Sequence, residues 1–543
     1  MTQALSSHQA GQYGKAEQFY QSVLQFAPEY FDALHLMGVL EDERGNGVLA
    51  VQYIRKALAI NPRVPHAHVN LGSALRRLGR LDEALDSYDA AIAVQPDLAL
   101  AHFNRGNVLR DMTRLEEAFD SFCEAARLDP DDADARNNCG SMLWKARKYE
   151  EALPYFDGAL AINPFHFDAL INKGSTLEKL ERDDEALELY ERVLSRQPDH
   201  VVAIVNRGSA LEGKGFTEEA LQHYLLAQRH APDDVSANLN EGFCRLKQGD
   251  FEVGLEKYEW RWKGPQERGN RQFEIPRWNG EDLAGKRILL HAEQGFGDTL
   301  QFCRYASLLA QRRANVVLEV PPSLVRLLEK LDGVERVLAH GAALPDADFH
   351  CPLLSVPLLV KTRVASIPAE TPYLYVPDDS YEKWARKIGI SARRRIGIAW
   401  GTTTKDTKKV LPISVLSELF DCNCDFFVVQ KDIRESDRVV LESYPNVRIV
   451  SDELSDFCDT AALLSLMDRV VTIDTSIAHL AGALGLRAWI MLHVAADWRW
   501  FEGREDSPWY PTVRLVRQSS AADWNSVVQR VKLALNDLIE RVE

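Results

Sequence analysis

One spacing governs what this chain can fold into: glycine recurs every 34 residues, at Gly38, Gly72, Gly106, Gly140, Gly174, Gly208 and Gly242. Twelve residues after each stands a small residue, Ala50, Ala84, Ala118, Ala152, Ala186, Ala220 and finally Gly254. Prolines keep the same step at Pro28, Pro62, Pro96, Pro130, Pro164, Pro198 and Pro232. A fourth register holds Tyr20, Ile54, Tyr88, Phe122, Phe156, Tyr190, Tyr224 and Tyr258. A fixed period of this length marks a repeat architecture. The physical unit it implies is a helix hairpin. Glycine and alanine let two helices approach closely, the aromatic fills the space between hairpins, and proline stops a helix.

In period and in the residue type at each register, residues 1–262 resemble the tetratricopeptide repeat, with seven full copies and a partial one at the start. The resemblance implies an α-solenoid. The last copy runs into Tyr258-Glu-Trp-Arg-Trp262, read as a capping helix with Trp260 and Trp262 covering the open end, followed by a polar linker over 263–285.

A fifth register bears on function. Asn70, Asn104, Asn138, Asn172, Asn206 and Asn240 also step by 34, each two residues before the glycine. At 100° per residue they point away from the packing face of the first helix. Asparagine in a helix interior costs roughly 0.6 kcal/mol relative to alanine. The neighbouring register meanwhile varies freely, as Val69, Phe103, Asn137, Ile171, Val205 and Leu239. A side-chain amide offers both a donor and an acceptor, so a stacked series suits the backbone of an extended polypeptide. The bland alternative is a solvated residue inherited by duplication. The series resembles the asparagine ladder in the repeat superhelix of the eukaryotic protein O-GlcNAc transferases, which implies a protein partner held in the groove.

At 543 residues the chain has room for two or more domains. Its net charge of −16 argues against a nucleic-acid backbone as partner, which needs a clustered basic surface. The N-terminus lacks the pattern of a signal peptide, and the most apolar stretch, 470–496, is broken by Asp474, His479 and Arg487. The eight cysteines are scattered, with one tight pair at Cys422-x-Cys424, as expected for free thiols. A cytoplasmic protein without a membrane span is expected.

From residue 287 short apolar runs alternate with helical stretches. Strands are predicted at 287–292, 315–320, 335–339, 349–353, 395–400, 426–430, 447–450, 469–473, 487–492 and 513–516. Continuous Val/Ile/Leu runs separated by helices indicate buried parallel strands. The expectation is two Rossmann-like halves, 286–378 and 390–543, divided within the Pro-, Asp- and Lys/Arg-containing segment 373–394. The fold class is therefore α + α/β.

Ligands of doubly wound sheets sit at strand carboxyl ends and helix N-termini. Three such places carry polar residues. The first is His291-Ala-Glu-Gln-Gly-Phe-Gly-Asp298, where Asp298 suits either a helix N-cap or a general base. The second is Asp474-Thr475-Ser476-x-x-His479, which combines hydroxyls with the free N–H groups of a helix start and so suits a diphosphate. The third is Trp400-Gly-Thr-Thr-Thr-Lys-Asp-Thr-Lys-Lys409, where Thr402, Lys405 and Lys408 are candidates to meet a leaving nucleotide. Gln430 and Lys431 sit similarly after another strand.

Gly-Asp at 297–298 and Asp-Thr-Ser-x-x-His-Leu-Ala at 474–481 resemble the two signature sites of the glycosyltransferase 9 (heptosyltransferase-like) family. The resemblance implies the GT-B fold, no metal, no cofactor besides the nucleotide-sugar substrate, and inversion at the sugar. It gives Asp298 the role of base, and Asp474, Thr475, Ser476 and His479 that of donor-phosphate site. The repeat fusion resembles bacterial glycosyltransferases that modify flagellin. After Asp298 the chain reads Thr-Leu-Gln-Phe-Cys-Arg-Tyr305, a departure from the lipopolysaccharide heptosyltransferases that turns attention from a lipid-linked acceptor to a polypeptide. Asp346-Ala-Asp348 has the letters of a metal motif but is read as a loop. The expected function is transfer of a sugar to Ser or Thr of a protein held by the solenoid. A glycan or lipid-linked acceptor, or a non-catalytic repeat scaffold, are the alternatives.

Overall fold

The computed structural model describes residues 1–264, 271, 273–401, 410–520 and 523–540. Sixteen helices come first, Thr2–Gln9 to Phe251–Tyr258, and two parallel sheets follow. By internal contacts the chain divides into two compact units, Met1–Ala203 and Ile204–Glu543.

The first unit holds successive helix hairpins, such as Pro65–Arg77 with Leu81–Val94 and Phe167–Lys179 with Asp183–Leu194. The repeat registers account for their packing. Ala50, Ala84, Ala118, Ala152 and Ala186 are fully buried, as are Phe122, Phe156 and Tyr190. A Cβ on Gly72 would stand 2.7 Å from the Tyr88 ring, and one on Gly174 would stand 2.5 Å from that of Tyr190. The aromatic thus stands over the glycine of its own hairpin, and Phe122 shares a core cluster with Cys139 and Met142 of the next. Side chains that close require the smallest residue, because interiors are already packed to crystal density.

The second unit begins with the last two hairpins, closed by Val235–Lys247 and Phe251–Tyr258, and continues into ten strands: β1 (Arg287–His291), β2 (Asn315–Val320), β3 (Val334–Ala339), β4 (Phe349–Pro352), β5 (Arg394–Ala399), β6 (Cys424–Val428), β7 (Val447–Ile449), β8 (Arg469–Ile473), β9 (Ala488–Leu492) and β10 (Val513–Arg517). All pair in parallel within two sheets, ordered β3-β2-β1-β4 and β10-β9-β8-β5-β6-β7. Counted from its own first strand, the larger sheet has the 3-2-1-4-5-6 order of a doubly wound dinucleotide-binding fold. The smaller has the same order without its last two strands.

Burial on both faces explains the unbroken apolar strands. In β8, Val470 packs into one core and Val471 into the other. In the smaller sheet Leu290 and Leu318 face a helical layer, while Leu289, Val317 and Leu338 on the other face are covered by two irregular segments, one carrying Phe273 and Ile275 and the other Leu344 and Ala347. After Tyr258 the chain makes one 3-10 turn, Glu259–Trp262. Trp260 and Trp262 are only partly buried there, and it is the Arg261 side chain, 8% exposed, that is enclosed. All eight cysteines are free. Among the described residues no helix is long and apolar enough to cross a membrane.

Candidate active site

In each sheet the strand order reverses direction at a switch point, beside β1 in the smaller sheet and between β5 and β8 in the larger. There the loops leaving adjacent strand ends diverge and open a crevice. The three polar segments singled out in the sequence leave the ends of these three strands.

The loop after β1 turns at Gly295 into the helix Phe296–Phe302. Asp298 is the third residue of that helix rather than its N-cap, and its Oδ2 accepts from the Gly295 N–H at 3.0 Å. Its Oδ1 forms an ion pair with Arg499. Both oxygens keep a further lone-pair direction, and the side chain is 20% exposed.

Arg499 also donates to Asp497 at 2.7 Å and lies over the Trp498 ring at 4.7 Å. Burial alone would lower the pKa of this guanidinium, but Asp298 and Asp497 outweigh it and hold it well above its usual value. Sequence reasoning missed Arg499. The available signal was an arginine inside the aromatic run Asp497-Trp-Arg-Trp500, because a charge set among core-forming aromatics needs a buried partner.

After β8, Thr475 is the N-cap of the helix Ser476–Ala483, its Oγ1 accepting from the Ile477 N–H at 3.3 Å. Asp474, Thr475 and Ser476 are partly buried and His479 is buried. The His479 ring stacks on Trp500 (centroids 5.2 Å apart, planes 22°), its Nδ1 lies 3.0 Å from the Tyr510 hydroxyl, and its Nε2 is 4.0 Å from Asp474. Burial lowers the imidazole to about 4, against the opposing pull of Asp474, so it is neutral near pH 7.

The two helices meet. A Cβ on Gly297 would stand 2.8 Å from the His479 ring and 3.6 Å from the Ser476 Cα. Only a residue without a side chain fits between the Asp298 turn and the Thr475 helix.

Thr402, Lys405 and Lys408 lie outside the described residues. Gln430 is tied into the chain: its Oε1 accepts from the N–H groups of Trp400 (2.8 Å) and Gly401 (3.0 Å), and its Nε2 donates to the Asp432 carbonyl (2.9 Å). Lys431 beside it is exposed. Among the described residues no group of three or more His, Cys, Asp or Glu is placed to hold a metal. Asp348 instead accepts from the Arg287 N–H at 2.8 Å and pairs with Lys286 at 3.2 Å.

The ladder asparagines are all partly buried. Asn70 bonds His35 at 3.0 Å, and Asn172 donates to Asn137 (3.0 Å) and Ser141 (3.2 Å), residues of the preceding repeat. Asn104, Asn138 and Asn240 make no side-chain hydrogen bond among the described residues, and Asn206 has a partner. In the first unit Asn138 and Asn172 line an open cavity of about 520 Å³, together with Met142, Ile171 and His200.

Three stretches match models of the tetratricopeptide repeat, at 72–112, 99–132 and 140–201. Protein FlbA of Caulobacter vibrioides is 24% identical over 327 residues, 54% of this chain and 53% of that protein. The chain thus spans about half the length of the curated relative it matches. Among solved structures, YrrB, described as a TPR protein with an unusual peptide-binding site, is 28% identical with a TM-score of 0.30, over 34% of this chain and 95% of its own. A tetratricopeptide repeat protein from Parabacteroides merdae is 18% identical with a TM-score of 0.39, over 44% and 94%.

Proposed function

We propose that the chain is a metal-independent GT-B glycosyltransferase, related to glycosyltransferase family 9, that moves a sugar from a nucleotide-sugar to Ser or Thr of a polypeptide held by the repeats. The observation that carries the reading is the contact between Gly297 and His479. It brings the candidate base Asp298 and the phosphate-type helix start at Thr475 together at the switch points of the two parallel sheets.

In this reading Asp298 takes the proton of the acceptor hydroxyl as that oxygen bonds to the anomeric carbon. The nucleotide leaves with the bonding electron pair, and inversion follows from attack opposite to it. The charge developing on the departing phosphate falls on the N–H groups of the first turn of Ser476–Ala483 and on the Thr475 and Ser476 hydroxyls. His479 is neutral, with Nδ1 beside the Tyr510 hydroxyl and Nε2 4.0 Å from Asp474. Lys405 and Lys408 remain candidates by sequence for positive charge toward the donor. Arg499 orients the Asp298 carboxylate. The open amides of Asn104 and Asn138 support backbone recognition of an extended acceptor, of which flagellin is a candidate.

The test is intact-mass comparison of polypeptides from cells with and without the gene, with Asp298→Ala as control. A glycosyl mass increment that depends on Asp298 is expected. No difference in any polypeptide would overturn the acceptor class. Calorimetric titration with UDP-, GDP-, ADP- and CMP-sugars identifies the donor, and failure of all four with folded protein favours a scaffold.

A further inference from the structure

The last member of the aromatic repeat register is spent differently from the others. In the earlier hairpins the ring stands over the register glycine, and the hydroxyls bond within the hairpin: Tyr88 lies 3.1 Å from Ser73, and Tyr224 donates to Glu212 at 3.2 Å. At the last hairpin the three atoms nearest a Cβ on Gly242 are the Tyr258 nitrogen and the Lys257 carbonyl carbon and Cβ, at 3.0–3.1 Å, with no ring atom among them. The Tyr258 ring has turned toward the α/β region. Its hydroxyl accepts from Gln294 Nε2 at 2.9 Å, and its centroid lies 6.0 Å from that of Trp498.

Three residues on, Arg261 grips the same loop. Its Nε and Nη2 donate to the two oxygens of Glu293 at 3.0 and 2.9 Å, a bidentate pair with both side chains under a tenth exposed. Glu293 also accepts from the Leu354 N–H at 3.1 Å, and Arg261 is held by Glu259 at 2.5 Å and Ser355 at 2.7 Å. Two residues beyond Glu293 stands Gly295, whose N–H fixes Asp298, and next to Trp498 stands Arg499, which fixes its other oxygen. The last repeat therefore backs both supports of one carboxylate.

We infer that Tyr258 and Arg261 are positioning residues for Asp298, so that the terminal repeat is part of the machinery that sets the base and not only of the arm that presents an acceptor. The inference rests on the glycosyltransferase reading for its consequence in rate, and on the contacts alone for its consequence in order. An acceptor arm affects transfer to polypeptide only. A positioning element also affects hydrolysis of the nucleotide-sugar by water, where no polypeptide takes part.

The experiment compares full-length Arg261→Met and Tyr258→Phe with the unaltered protein in two measurements. The first is hydrogen exchange of the 295–302 amides, with the 476–483 amides as internal reference. Exchange at 295–302 is expected to rise about tenfold or more in Arg261→Met, and less in Tyr258→Phe, while the reference stays put. The second is nucleotide release from the donor without acceptor, with kcat expected to fall roughly ten- to a hundredfold and the donor KM nearly unchanged. Tyr258→Phe keeps the ring and removes only the hydroxyl, so it decides the matter if Arg261→Met fails to fold. Unchanged exchange at 295–302, or an equal rise at both helices, overturns the inference. If the unaltered protein releases nucleotide from no donor while exchange shifts as expected, the positioning stands and the enzymatic reading falls.

Discussion

Asp298 is fixed from two sides, by the Gly295 N–H and by Arg499, and each support makes a measurable claim. Asp298→Asn keeps the size and one hydrogen bond but cannot take a proton. Donor consumption should fall about 10²–10⁴-fold, with binding of the nucleotide-sugar retained in a calorimetric titration. A second residue-scale consequence concerns pH. Burial holds His479 at about 4 and His291 at about 3, the latter aided by His350 and Arg271. The unfolded chain binds these protons from about pH 6.5 downward. Between pH 6.5 and 4 it therefore binds more protons than the folded chain, and stability must fall as pH falls through that window. Above 6.5 these two groups contribute nothing to the slope. Melting temperatures recorded from pH 7 to pH 4 should decline, and His479→Gln should flatten part of the decline. Asp298 and the Asp474 to His479 group were legible in the sequence because glycine turns and hydroxyl-rich helix starts are local patterns. Arg499 and Glu293 were not, because their roles come from partners, Asp298 and Arg261, that lie 201 and 32 residues away.

Each hairpin is built on one intolerant contact. At Gly174 helix propensity favours alanine by roughly 1 kcal/mol, yet the added Cβ would lie 2.5 Å from the enclosed Tyr190 ring. Overpacking of that kind costs about 1–3 kcal/mol, so Gly174→Ala should lower the melting temperature. The ladder behaves in the opposite way. Asn138→Ala removes an amide without an internal partner, so helix stability should hold or rise slightly by about 0.6 kcal/mol. Affinity for an acceptor polypeptide, measured by fluorescence anisotropy, should fall about two- to tenfold, as for loss of one hydrogen bond. Equal affinity would remove Asn138 from the acceptor site. At this scale the sequence was a close guide. β2 and β8 occupy their expected residues, and β1, β3, β4, β7, β9 and β10 differ by one residue at an end, because strands buried on both faces are apolar from end to end. β6 is displaced, starting at Cys424 and ending at Val428. Val429 continues the apolar run and still donates its N–H to the Ile398 carbonyl at 3.0 Å, but at Gln430 the side-chain amide oxygen, not the backbone, takes the N–H groups at the end of β5.

Two compact units in one chain are expected to melt in more than one step. A calorimetric enthalpy larger than the van't Hoff enthalpy is expected, and equality of the two would contradict the division at 203/204. The helices Val235–Lys247 and Phe251–Tyr258, repeats by sequence, belong by contacts to the unit of the sheets. Nothing in their letters announces this, since the 34-residue step continues through them unbroken, apart from Gly254 where the register holds alanine. The division has a consequence for how such a chain changes over generations. Duplication or loss of a whole 34-residue unit within the first unit alters how many hairpins there are and keeps Tyr258 and Arg261 beside Gln294 and Glu293. The same event between residue 204 and the last hairpin would displace Gly215 and Thr217 from Val494 and Glu502. Copy number is free to drift on one side of that seam and frozen on the other.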